Sequence, residues 1–147
     1  MKRGAASSAQ SPTIPARFRN VRYDGKCYPG SRGPRGLGRG ANCQHYAYEF
    51  LRHLGFTVPN LRSSELWADK EFSSRVHRLR RFDLVLFNRK RAAWGAHVGV
   101  YLGGSRVLHL CKSIGLPAVW TLDEFAAREE HRTMLGAKRF RIAPRGC

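Results

Sequence analysis

His97-Val98-Gly99-Val100-Tyr101-Leu102-Gly103-Gly104-Ser105-Arg106-Val107-Leu108-His109-Leu110 decides the fold. Two runs rich in β-branched and aliphatic residues flank a Gly-Gly-Ser turn, which predicts a β-hairpin. Just upstream, Phe82-Asp83-Leu84-Val85-Leu86-Phe87 reads as a buried strand. Downstream, Ala118-Val119-Trp120 reads as a short strand. Thr121-Leu122-Asp123-Glu124 is a capping box for a helix through Ala127, and Gly136 to Ile142 reads as a last strand. The hairpin also carries a test of its own chemistry. A plain two-residue Gly103-Gly104 turn would pair Leu102 with Ser105 and put His97 and His109 on opposite faces. A three-residue loop or a bulge would put both on one face. A site that uses both histidines therefore predicts an irregular connection.

Before the strands the period changes to that of a helix. Asn42 is a good N-cap, Ala47, Phe50, Leu51 and Leu54 share one face, and Gly55 supplies the stop. A second helix is predicted from Ser63 or Ser64 through Leu66 and Trp67. Helices first and antiparallel strands later make an α+β pattern. Cys43 falls at the first helical position. Unpaired backbone N–H groups and the helix dipole there favour a thiolate and can hold an oxyanion. With an imidazole nearby, these are the minimum parts of cysteine acyl chemistry.

The rest of the chain bounds the answer. Its 147 residues suit one domain, and 42% hydrophobic residues can fill a core. No apolar run is long enough to span a bilayer. The N-terminus starts with positive charge, but no apolar stretch follows it. A cytoplasmic protein is the default expectation, with export by another route left open. Cys27, Cys43, Cys111 and Cys147 form no CxxC pair, and Cys43, His45 and His53 match no zinc spacing. No metal or cofactor is expected. The formal charge is +17. Residues 1–20, rich in Ser, Ala, Pro and Arg, read as a disordered or loosely attached basic arm before a domain over 21–147. Residues 29–41 form a Gly- and Arg-rich loop. Much of the remaining positive charge lies between Arg75 and Arg91, whereas residues 41–74 are net −1.

Asn42-Cys43-Gln44-His45-Tyr46-Ala47 at a helix start, then Phe82–Phe87, His97–Gly103 and Val107-Leu108-His109 together resemble the NlpC/P60 family of papain-like cysteine peptidases. In that family a Cys heads a helix, a "DLVFF" strand follows, and an "HVGIYLG" strand carries the base. A third polar residue lies about a dozen positions on. The resemblance covers roughly residues 41–111. It implies a papain-like α+β fold with N-terminal helices packed on a small antiparallel sheet or half-barrel. It also implies Cys43 as nucleophile, His97 as general base and His109 as the residue that orients His97. The implied reaction is hydrolysis of an amide or peptide bond, typically in peptidoglycan stems, through a thioester acyl-enzyme. An upstream tyrosine, Tyr28 or Tyr23, would help hold the oxyanion. Gln44, His45 and Trp94 would line the groove.

The usual "DCSG" is Asn42-Cys43-Gln44-His45 here, and the usual "GDL" is Phe82-Asp83-Leu84, a change expected to be harmless. The cysteine box also resembles that of lecithin–retinol acyltransferase-like proteins, in which the histidine precedes the cysteine. A thiol acyltransferase or amidase is therefore the second reading. A non-catalytic basic module that binds polyanions is the third, motivated by the charge. The implied partners are a peptide or peptidoglycan-like substrate, with weak attraction to an anionic polymer or nucleic acid. The oligomeric state is left open.

Overall fold

The structure is a computed structural model that describes residues 14–31 and 36–142. Six strands make one antiparallel sheet: β1 (Ser73–Val76), β2 (Leu84–Asn88), β3 (His97–Gly103), β4 (Arg106–Leu110), β5 (Pro117–Thr121) and β6 (Thr133–Phe140). Their order across the sheet is β1-β6-β2-β3-β4-β5. The helices are α1 (Cys43–His53), α2 (Ser63–Ala68) and α3 (Leu122–Ala126). None is long and apolar enough to cross a membrane. The α+β architecture is the expected one.

Both faces of the sheet are covered, and that explains the unbroken apolar run in β2. Leu84 and Leu86 point to the face where Ala47, Phe50 and Leu51 of α1 pack. Val85 and Phe87 point to the other face, onto Val107, Trp120 and Phe125. At the end of β2, the Phe87 ring stacks on Phe125 at 4.1 Å. Asp83, just before β2, is buried and takes a two-pronged contact from Arg139 Nε and Nη2 at 2.7 and 2.9 Å. This forked pair is stronger than an ordinary hydrogen bond and ties β6 to the start of β2.

The β3–β4 connection is irregular, as a two-histidine site requires. Gly104 and Ser105 both have positive φ, at 58° and 67°, and Gly103 pairs with Arg106. Tyr101 nevertheless pairs with Val107, so Leu102 is an extra residue in β3. That bulge reverses the parity of the strand, and His97 and His109 share one face. Gly99 lies between them. A Cβ there would come within 2.4 Å of Val107 Cγ1 and 3.3 Å of His109 Cβ. Val107 is fully buried and stiff, so it has little room to yield. Gly99→Ala is therefore expected to cost about 2 kcal/mol in chemical denaturation. Unchanged stability would show that the strands separate freely here.

Several sequence expectations need correction. Residues 14–20 are not a loose arm. The Phe18 ring is fully buried, edge-on to Tyr46 and Phe50, and Tyr46 Oη donates to its carbonyl at 2.6 Å. The remainder of that expected arm lies outside the described residues. The last strand starts at Thr133 rather than Gly136, because β6 bulges opposite Leu86 and Phe87 and continues past the glycine. Strand β1 was not anticipated. Phe82, which occupies the position of the motif glycine, takes φ 78°. That left-handed backbone costs about 1–2 kcal/mol in a non-glycine residue. Its ring offsets part of the cost by packing against Phe50 and Phe56.

Candidate active site

Cys43 sits at the first position of α1, after an N-cap in which Asn42 Oδ1 accepts from the His45 N–H at 2.8 Å. The residue as a whole is half-buried. Backbone N–H groups of Val98, Gln44 and Cys43 itself surround the sulfur and favour the thiolate. Burial outweighs them and pushes the thiol up to about 11. The expectation that the helix start lowers this pKa is thus overturned: the dipole is weaker than desolvation at this site.

His97 opens β3, and its Nε2 lies 2.9 Å from His109 Nδ1 on β4. The rings meet edge to face at 86°. Burial also holds His97 well below the usual histidine range, helped by the two neighbouring imidazoles. His109 is 1% exposed, and burial lowers it to about 3. The resting site is therefore a neutral thiol beside neutral imidazoles. The His97–His109 contact needs one donor. If His97 Nε2 carries the proton, its Nδ1 is free to accept one from Cys43, and His109 then bears its proton on Nε2. His109 Nε2 is buried with no hydrogen-bond partner among the described residues. It sits in an aromatic cage, with Trp120 and Phe125 at 4.2 and 4.6 Å.

A cavity of about 820 Å³ opens beside these groups, and its wall includes Cys43, His97, Tyr23, Arg89 and Lys112. A second, of about 640 Å³, continues past Cys43 and Tyr23 toward Trp94, Arg62 and Glu65. Cys43 therefore borders two cavities. Trp94 is 82% exposed at the rim of the second cavity. Tyr23 is the tyrosine that reaches the thiol. Its N–H donates to the Gly115 carbonyl at 2.9 Å, and Tyr23 forms an isolated β-bridge with Ala41, two residues before Cys43. Burial and the neighbouring thiol raise its phenol, so it stays a donor.

Tyr28 and His45 are not brought to the thiol. Both line a separate cavity that does not include Cys43. Tyr28 lies under the Arg62 guanidinium at 4.4 Å, and His45 Nε2 contacts the Gly36 carbonyl at 2.8 Å. Two positions along a helix turn the side chain about 200° away, which removes His45 from the Cys43 face. Gln44 is 4% exposed and donates to the Leu61 carbonyl at 3.4 Å, although it borders the second cavity.

One residue was missed. His131, in the 3₁₀ turn Glu129–His131, lines the larger cavity with its ring 4.5 Å from that of His97. No sequence motif contains it; only the fold brings it there. Burial lowers its pKa as well. Three histidines depressed in the folded state give a pH prediction. Below about pH 6.5 the unfolded chain binds protons that the folded chain does not, so stability is present above that pH and is lost as pH falls. Tm is expected to fall between pH 7 and pH 5, and less steeply in His131→Phe. A Tm constant across that window would contradict the neutral cluster. Among the described residues no group of His, Cys, Asp or Glu is arranged to hold a metal ion.

No family profile and no curated protein matches the sequence. The fold is found among solved structures. An NlpC/P60 family protein from Bacillus cereus ATCC 10987 superposes over 92% of this chain with a TM-score of 0.57 and 18% identity. This chain spans 43% of that protein's length. The NlpC/p60 domain of peptidoglycan hydrolase SagA matches 84% of this chain and 92% of its own, with a TM-score of 0.52 and 20% identity. The peptidoglycan hydrolase RipB from Mycobacterium tuberculosis matches 99% and 70%, with a TM-score of 0.54 and 18% identity. The chain has the NlpC/P60 fold.

Proposed function

We propose that this chain is a divergent NlpC/P60 cysteine hydrolase that cleaves peptide bonds, with peptidoglycan stem peptides as its substrate class. The observation that carries the reading is the 2.9 Å contact between His97 Nε2 and His109 Nδ1, beside a cavity shared by His97 and the thiol at the helix start. Two structural neighbours that are peptidoglycan hydrolases support the substrate class.

In the first half-reaction, His97 Nδ1 takes the Cys43 proton as sulfur bonds to the scissile carbonyl carbon. The carbonyl π pair moves to oxygen, where the Tyr23 hydroxyl and backbone N–H groups at the helix start stabilise it. The tetrahedral adduct collapses, the C–N bond breaks, and the departing nitrogen takes the proton from His97. A thioester remains. His97 then deprotonates water, whose oxygen bonds to the thioester carbon; the C–S bond breaks, the carboxylic acid leaves, and sulfur takes the proton back from His97 to restore the thiol. His109 accepts from His97 Nε2–H throughout, keeping Nδ1 toward sulfur and stabilising the transient imidazolium. Because the thiol rests protonated, its ionisation is coupled to attack rather than prepaid as an ion pair.

The test is incubation with purified stem peptides and mass analysis of the products. A fragment pair differing from substrate by one water is expected. An amine-ligated product formed in place of the hydrolysed acid would instead identify an acyltransferase, and intact peptide at long incubation would overturn the reading.

A further inference from the structure

His131 stands in an aromatic cluster, with Phe125, Trp120 and Phe87 rings 5.6, 6.0 and 6.4 Å away. It is 7% exposed. A phenylalanine would fill this space without burying a polar atom, yet His131 Nδ1 is buried with no hydrogen-bond partner among the described residues. An orphaned buried nitrogen costs free energy and calls for a compensating role. The cheaper tautomer leaves Nδ1 unprotonated and puts the proton on Nε2. That N–H is what the ring can offer to the cavity it lines with His97.

The turn that carries the ring is tied to the residue that follows β2. Its backbone N–H donates to the Arg128 carbonyl at 3.1 Å. Arg89, just after β2, pairs with Glu129 at 3.3 Å and accepts on its carbonyl from Arg132 Nε at 2.9 Å. The imidazole planes of His131 and His97 are tilted by 34° at 4.5 Å, so a group touching one ring lies next to the other.

We propose that His131 is a substrate-binding residue, donating Nε2–H to a peptide carbonyl of the substrate lodged beside His97. The inference rests on the hydrolase reading for the identity of the substrate. Two variants separate the nitrogen from the ring: His131→Phe keeps the packing, and His131→Gln restores a donor near the Nε2 position. With a stem tetrapeptide as probe, His131→Phe is expected to raise KM about tenfold, the worth of one hydrogen bond with its partner left unpaired. Its kcat should stay close to that of the parent, and His131→Gln should recover most of the KM.

A second arm does not need turnover. Calorimetry of the same tetrapeptide with the Cys43→Ala protein should show binding that weakens about tenfold when His131→Phe is added. If the parent does not cleave the peptide but this arm behaves as stated, the hydrolase reading fails and the binding role of His131 stands. Equal binding with and without His131→Phe, or a His131→Gln variant as impaired as His131→Phe, would overturn the role. No binding by the Cys43→Ala protein would overturn it as well.

Discussion

Replacing Cys43 by alanine is expected to abolish hydrolysis, with a loss of about 10⁴-fold or more in kcat. The sulfur forms the covalent bond on which both half-reactions depend, and among the described residues no other thiol is placed to substitute. Cys27 lines the separate cavity with Tyr28 and His45. Cys111 borders the same cavity as Cys43, but it is 3% exposed and its sulfur is engaged with Ser113 Oγ at 3.3 Å. The melting temperature should change little, because Ala is a good helix former at a position whose side chain is small. Full activity in Cys43→Ala, measured on the same stem peptide, would remove the nucleophile from the account.

The second large effect belongs to His97. His97→Ala is expected to lower kcat by about 10²–10⁴-fold, the usual worth of a positioned proton carrier. The pH dependence should change as well, because the resting thiol is neutral. With His97 present, the rate should hold steady below the ordinary histidine range, since burial keeps the imidazole unprotonated there. Without it, only solvent can take the thiol proton. The residual rate should then climb about tenfold per pH unit toward the thiol pKa of about 11. A variant with a flat profile at a reduced rate would mean that His97 positions the substrate and moves no proton.

The parts of this site that the sequence revealed are those set by local pattern. Leu84 to Phe87 announced a strand covered on both faces, and Asn42 and Gly55 bracketed α1 as a helix should be bracketed. The spacing of His97 and His109 demanded an irregular hairpin, and the extra Leu102 supplies it. What escaped depends on contacts distant in sequence. Strand β1 is a short, polar edge strand whose partner, β6, lies more than sixty residues away. The loop register brings Tyr23 to Cys43 and leaves Tyr28 with Arg62, and no local rule distinguishes the two tyrosines. His131 reaches His97 only because β6 returns beside β2 after the 3₁₀ turn. The thiol pKa was misread for a related reason. The helix start is visible in sequence, whereas the burial that outweighs it is a property of the packed sheet.

Trapping the acyl-enzyme tests the central claim most directly. The protein is mixed with an activated p-nitrophenyl ester of a stem dipeptide, quenched in acid within seconds and digested, and the acylated residue is located by mass spectrometry. The account predicts one acyl mass on the peptide containing Cys43, absent in Cys43→Ala and strongly reduced in His97→Ala. An adduct on Cys27 or Cys111, or no adduct while product accumulates, would contradict it.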